Sequence, residues 1–266
     1  MTQSGYVYEV FSSYQGEGAS LPGSLMGRRQ VFVRLCGCNL ARGDMGTEGC
    51  VFCDSPGAKS ERCKSASVEI IPGGGRERVR NPLDAEAVLD WILRLRTPDL
   101  HSVSVTGGEP LVQARFVGRL AGMVRSLGLR TYLETNGSLP REVSRVAGLF
   151  DYACVDIKDK SARAAEDWQA LVELEVESAS ILKDAGCRTF CKTVVTSQTI
   201  PASIEAIATR VSELGLPLAL QVVTPFGGLK PPSGRQLFSL TEAAAKHLQP
   251  EMLAVSIQAH RLLELP

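Results

Sequence analysis

Three cysteines are spaced to hold a metal centre. Cys50-Val51-Phe52-Cys53 is a C-x2-C pair, so two thiolates can grip one centre from a single loop. Cys38 lies twelve residues before Cys50, at the end of a candidate strand. Three thiolates can bind three irons of a [4Fe–4S] cube and leave the fourth iron open to a further ligand. The same residues also suit structural zinc, which takes four ligands, a redox dithiol, or plain buried thiols. Spacing alone leaves these readings open. Cys36 is a rival to Cys38 as first ligand, and Cys63 reads as an ordinary loop or buried thiol or a substitute ligand.

A second candidate is Thr106-Gly107-Gly108-Glu109-Pro110. It follows a short apolar run, so the turn lies at a strand's C-terminal end. Paired glycines let backbone approach a ligand closely. Glu109 offers an anion to an ammonium group. The plainer reading is a β-turn carrying a surface glutamate. Other residues read as structural: His101 as surface, Cys154 as core, Cys187 and Cys191 as buried or edge thiols, and Glu166–Glu177 as a solvated helix face.

The elements that must position these groups follow a regular alternation. Tyr6–Phe11 and Val31–Leu35 read as strands, residues 36–63 as a cysteine-bearing loop, and residues 64–83 as a hairpin or loop insertion. From Asp84, a candidate helix cap, helices near 84–96, 113–127, 140–148, 163–185, 204–214 and 233–248 alternate with short apolar strands. Those strands are Ser102–Thr106, Arg130–Glu134, Tyr152–Ile157, Thr189–Val195, Leu218–Val223 and Leu253–Ile257. Such alternation predicts an α/β fold, a parallel sheet with right-handed crossovers, forming a barrel or part-barrel in one domain. Reactive groups then belong on loops after the strands' C-terminal ends.

Composition narrows the class. Twenty-nine Lys and Arg balance twenty-nine Asp and Glu among 266 residues, with no long basic run, which argues against a nucleic-acid partner. No apolar run reaches the roughly 18 residues of a membrane span, and the first twenty residues lack a signal-peptide pattern. A cytoplasmic protein is expected, and there its eight cysteines favour metal ligation or buried thiols over disulfides.

Together, Gly37-Cys38-Asn39-Leu40, Cys50-x2-Cys53-Asp54 and the Gly-Gly-Glu-Pro turn resemble the radical S-adenosylmethionine superfamily. The usual spacing there is C-x3-C-x2-C. Here it is C-x11-C-x2-C, so Ala41–Gly49 forms an enlarged loop, and the Gly-Cys-Asn-Leu context favours Cys38 over Cys36. A narrower resemblance spans nearly the whole chain. Glu9–Gly18, Val31–Arg34, Leu133–Gly137, Val155–Lys158 and Ser256–Arg261 look like the 7-carboxy-7-deazaguanine synthase family. A radical activase that takes hydrogen from a protein glycine shares the cluster and the Gly-Gly-Glu-Pro turn, but does not need the residues at the two ends. A non-catalytic iron–sulfur or zinc module would not need the turn.

The resemblance implies a partial (βα) barrel of about six parallel βα units. It implies ring contraction of 6-carboxy-5,6,7,8-tetrahydropterin to 7-carboxy-7-deazaguanine with loss of ammonia, on the way to queuosine or archaeosine. The implied cofactors are a [4Fe–4S] cluster on Cys38, Cys50 and Cys53, S-adenosylmethionine, and Mg²⁺ on Ser55, where the family usually has threonine. The implied substrate wall is Tyr14, Gln15, Gly16, Glu17, Arg34, Thr106, His260 and Pro266, with Arg34 clamping the carboxylate and the Pro266 terminal carboxylate meeting the pterin. For S-adenosylmethionine the implied contacts are Phe52, Cys53 and Asp54 at adenine, Gly108 and Glu109 at the methionine end, and Glu134 at the ribose. Later strand ends add Asp156, Ile157, Lys158, Gln221, Val222, Val223 and Thr224. The family often has Ser-Pro-Lys and Gln-Pro at those ends, so Lys158 and Gln221 match best. A homodimer and a flavodoxin- or ferredoxin-like electron donor are also expected.

Overall fold

Short apolar runs punctuated by glycine and proline become strands, and the longer periodic segments between them become helices. The structure, a computed structural model, describes residues 4–225 and 228–265. Its strands are β1 (Ser4–Gly5), β2 (Val7–Tyr14), β3 (Arg29–Leu35), β4 (Ser65–Glu69), β5 (Arg76–Arg80), β6 (Leu83–Asp84), β7 (Leu100–Gly107), β8 (Arg130–Thr135), β9 (Tyr152–Asp156), β10 (Arg188–Val195), β11 (Leu218–Val222) and β12 (Leu253–Ser256). The helices are α1 (Ala85–Arg94), α2 (Ala114–Ser126), α3 (Pro140–Val146), α4 (Trp168–Asp184), α5 (Pro201–Glu213), α6 (Gly234–Ala245) and α7 (Ala259–Leu262).

Ten strands form one open sheet in the order β12-β11-β10-β9-β8-β7-β3-β2-β4-β5, and β1 pairs separately with β6. From β3 to β12 every pairing is parallel, and α1 to α6 each lie between successive parallel strands in the chain. The expected α/β part-barrel is therefore present. One departure is the start. β2 runs antiparallel to β3, and the β4–β5 hairpin extends the sheet beyond it. The Gly-rich connection between β2 and β3 carries no helix, so nothing forces a crossover there.

Side chains alternate across each strand. One face packs on the helices through Val33, Val103, Val105, Leu133, Val155, Leu218 and Leu220, in a core completed by Val88, Ile92, Val117, Leu120, Ile204 and Ile207. The other face is the barrel interior. Its lower part is filled by Tyr132, Tyr152, Cys154 and Phe190 with Leu21 and Leu25. Its upper part, at the C-terminal strand ends, is a cavity.

Candidate active site

The loop after β3 carries the three cysteines, and the turn after β7 locks it in place. Glu109 N–H donates to Gly37 O at 2.7 Å, Gly108 N–H to Leu35 O at 3.2 Å, and Gly37 N–H to Ala58 O at 2.8 Å. A Cβ on Gly108 would lie 2.5 Å from Gly37 O and 2.8 Å from Ala58 O, so only glycine allows this contact. The Glu109 carboxylate, fully buried, accepts from Leu111 N–H and Thr135 Oγ1 at 2.9 Å and from Asn136 N–H at 2.7 Å. The plainer reading of Glu109 as a surface glutamate is therefore wrong. Its charge is already met by three donors of the chain, so it braces the turn against the end of β8. Burial pushes its pKa up to about 7 against those hydrogen bonds.

Two cysteine expectations change. Cys36 and Cys63 are joined in a disulfide. Cys36 is thereby removed as a rival ligand, and Cys63 is neither a free thiol nor a substitute. Sequence reasoning set disulfides aside because of the expected compartment, and the close approach of the two residues is a tertiary fact. Cys38, Cys50 and Cys53 remain free, half-buried, and on the wall of one cavity. Among the described residues, no three His, Cys, Asp or Glu side chains converge as a single ion requires. A cube instead takes one thiolate per iron. Three soft donors from one loop fit that cluster.

The enlarged loop docks beside them. Val51 N–H donates to Ala162 O at 3.0 Å, Thr47 Oγ1 to Ala164 O at 2.9 Å, and Glu166 N–H to Met45 O at 2.9 Å. Leu40 joins Ala162, Ala164 and Leu171 in a small apolar cluster, against which Cys38, Cys50 and Phe52 pack. The inserted residues thus tie the cysteine loop to the segment before α4.

The cavity has a volume of about 430 Å³. Its floor is a ring of inward-facing residues set side by side in strand register. Arg34 pairs with Thr106, Glu134 with Cys154, Asp156 with Lys192, and Val194 with Gln221. Arg34 Nε donates to Glu9 Oε1 at 2.8 Å, and its NH1 donates to Ser55 Oγ at 2.9 Å. Arg76 from β5 takes the second Glu9 oxygen at 2.7 Å, so one acid serves two guanidiniums, and Asp54 and Glu134 also act on Arg34. Ser55 Oγ in turn donates to Asp54 at 3.2 Å.

The opposite wall is built around Glu17. It is bonded by Lys192 Nζ, by Gln221 Nε2 at 3.0 Å and by Gln258 Nε2 at 3.2 Å. Lys192 Nζ also lies 3.0 Å from Asp156, whose other oxygen takes Lys158 Nζ at 2.6 Å. Burial opposes the charge of Asp156, yet Lys158 and Lys192 outweigh it and hold its pKa down to about 2. Glu134 is pushed up by burial and by the nearby Glu17, and accepts from Gln15 Nε2 at 2.7 Å. His260 meets Gly16 directly. A Cβ on Gly16 would lie 2.1 Å from His260 Nδ1, and Ala259 N–H donates to Gly16 O at 3.0 Å. Burial lowers the His260 pKa, with Glu17 opposing.

Most expected site residues therefore meet in one place. Tyr14, Gln15, Gly16, Glu17, Arg34, Phe52, Cys53, Asp54, Ser55, Thr106, Gly108, Glu109, Glu134, Asp156, Lys158, Gln221, Val223, Thr224 and His260 all line the cavity. Ile157 and Val222 do not. They alternate with inward-facing neighbours, and their side chains pack on the helical side. Pro266 lies outside the described residues. Cys154 is buried, as expected of a core thiol, and also reaches the cavity floor. Lys192 and Gln258 went unassigned in the sequence. Lys192 had a signal: a lysine inside an apolar run, Phe190–Val195, must find a buried partner. Gln258 bridges Asp54, Glu17 and Thr224 at 2.9, 3.2 and 2.6 Å.

An open βα barrel with three free cysteines after its first parallel strand defines a class, the radical S-adenosylmethionine proteins. The profile of the Radical SAM superfamily matches residues 36–197. A radical SAM methyltransferase from Sphaerobacter thermophilus superposes with a TM-score of 0.57 at 14% identity, over 86% of this chain and 66% of that one. A 7-carboxy-7-deazaguanine synthase from Thermococcus kodakarensis is 42% identical, covering 97% of both chains. One from Methanocaldococcus jannaschii is 33% identical over 97% of this chain and 98% of its own, and one from Geobacter sulfurreducens 34% over 96% and 95%. The chain belongs to the 7-carboxy-7-deazaguanine synthase family.

Proposed function

We propose that the chain converts 6-carboxy-5,6,7,8-tetrahydropterin to 7-carboxy-7-deazaguanine, releasing ammonia. One observation carries the assignment beyond the superfamily. Gln15 and Glu17 after β2, Arg34 on β3 and His260 on α7 come from opposite ends of the chain to one cavity beside the free cysteines. A cavity of this size at the strand ends suits a bicyclic small molecule.

Cys38, Cys50 and Cys53 would hold a [4Fe–4S] cluster with S-adenosylmethionine on its open iron, which together supply a carbon-centred radical when reduced. The chain's own residues do the rest. Arg34, partly compensated by Glu9, attracts the substrate carboxylate. Glu17 and Gln15 offer acceptors and donors to the pterin edge. His260, its pKa lowered by burial and its ring pressed on Gly16, closes that edge. Lys192 holds the Glu17 carboxylate in place. Gln221 Oε1 is buried without a hydrogen-bond partner among the described residues, an acceptor left for the cofactor. Asp54 and Ser55 present hard oxygens to Mg²⁺ beside the carboxylate. The plugged lower barrel keeps water away from the radical from below.

We also read the chain as a cytoplasmic homodimer reduced by a flavodoxin- or ferredoxin-like protein. Among the described residues no helix is long and apolar enough to cross a membrane. The test is anaerobic reconstitution, then incubation with the carboxytetrahydropterin, S-adenosylmethionine, dithionite and Mg²⁺. Mass detection should find 7-carboxy-7-deazaguanine. A fully loaded enzyme that leaves the pterin intact would overturn the proposal.

A further inference from the structure

The barrel interior has a second mouth. Read from N- to C-terminal end, the inward positions are Arg130, Tyr132 and Glu134 on β8, Tyr152, Cys154 and Asp156 on β9, and Arg188, Phe190 and Lys192 on β10. The last of each line the active-site cavity, and the middle ones form the apolar plug. The first surround a separate cavity of about 300 Å³, bordered also by Arg125 and Asp151. Four strand residues, roughly 13 Å, separate Tyr152 from Asp156.

The charges at this mouth do not balance. Asp151 takes Arg125 NH1 at 3.1 Å on one oxygen, and Thr131 N–H at 2.8 Å and Thr131 Oγ1 at 3.1 Å on the other. Arg130 and Arg188 have no acidic partner among the described residues. Both aim at the Tyr152 hydroxyl, at 3.5 and 3.3 Å. Arg130 also reaches His101 Nε2 at 3.2 Å. Tyr152 is only 6% exposed. Its oxygen already accepts from two guanidiniums, so its own proton must point away from both, and it meets no acceptor among the described residues. Arg125, Arg130 and Arg188 are exposed, so water screens much of the repulsion between two cations on one neutral oxygen, and an anion between them removes the rest.

We propose that this mouth binds a phosphoryl group on Arg125, Arg130 and Arg188, with the Tyr152 hydroxyl donating to it. The donors arrive from the end of α2 and the starts of β8, β9 and β10, so they surround a centre rather than face a plane. A tetrahedral oxyanion satisfies such a set, and guanidinium forks match it. The cavity is larger than phosphate, so the group arrives either free or at the end of a nucleotide. The reaction proposed above uses no phosphoryl group, and this site is distinct from it.

The test is calorimetric titration of the reconstituted full chain at low salt with inorganic phosphate and, separately, a purine nucleoside triphosphate. One saturable site per chain is expected, retained in Arg34→Lys and weakened at least tenfold in Arg130→Gln/Arg188→Gln. Tyr152→Phe keeps the ring and all charges, and should weaken binding about tenfold by losing a charge-assisted hydrogen bond. It serves if the double variant misfolds. Tighter binding of the triphosphate identifies a nucleotide, and equal binding identifies phosphate. No saturable binding to the wild type would overturn the proposal. So would binding lost in Arg34→Lys and kept in the other variants, which places the anion in the active site.

Discussion

Lys192→Met probes the link between fold and site most sharply. Lys192 Nζ bonds Glu17 and lies 3.0 Å from Asp156, and its side chain is 11% exposed against 13% for Glu17. Removing one partner of a buried pair costs about 3–5 kcal/mol, because the other charge stays buried. Asp156 keeps Lys158 at 2.6 Å, so the loss falls on Glu17, which among the described residues retains the neutral Gln221 and Gln258 amides. That places the cost near the lower end, about 3 kcal/mol. For a chain of this size each kcal/mol shifts Tm by about 2–4 °C, so a fall of roughly 6–12 °C is expected. Glu134, which Lys192 holds down against burial and Glu17, should also take up a proton more readily without that cation. Pterin binding that depends on Glu17 held in place and on an ionised Glu134 would then weaken, and partly recover as pH rises. Differential scanning fluorimetry and KM measured across pH give both readings. A Tm within about 2 °C of wild type, together with an unchanged KM, would refute the reasoning.

Four further outcomes are expected. Cys63→Ser opens a disulfide that closes 27 residues of chain, worth about 3–4 kcal/mol of loop entropy, and should lower the Tm of oxidised apoprotein while iron content after reconstitution stays at the wild-type level. Gly16→Ala must displace His260, and Gly108→Ala must pry Gly37 from the turn. The first should raise KM with the cluster's absorbance intact, and the second should lower the iron bound per chain. Asp156 titrates at about 2 in the fold, below its ordinary 3.8, so its contribution is complete above pH 3.8 and lost as pH falls through about 2. Apoprotein carrying Asp156→Asn should be destabilised at pH 7 and converge on wild type at the acid end, which urea unfolding at both pH values checks.

Much of the architecture was legible because each βα unit announces itself locally. A four- to eight-residue apolar run, a glycine or proline, then a 3.6-residue period reads as strand, turn and helix. Asp84 does stand at the N-cap of α1, although its side chain makes no capping bond. The direction of β2 was not legible, since a helix-free Gly-rich link fits a hairpin as readily as any other return. The cluster ligands were legible as a trio, but the Cys36–Cys63 pairing was not, because it depends on the loop's path past β3. The buried partners of Glu109 were not legible for a related reason. Three donors that hold it come from the turn itself and from the end of β8, which sequence spacing does not bring together. Lys192, a lone charge in an apolar strand, was readable in principle, and Gln258 only in three dimensions.

The central claim is that the strand-end ring beside Cys38, Cys50 and Cys53 is a carboxypterin site. It is tested most directly by an anaerobic crystal structure of the reconstituted enzyme with S-adenosylmethionine and 6-carboxy-5,6,7,8-tetrahydropterin. The expected density has the substrate carboxylate against Arg34, with the pterin edge between Gln15, Glu17 and His260. A pterin bound elsewhere, or a cavity filled by cofactor alone at saturating pterin, would contradict it.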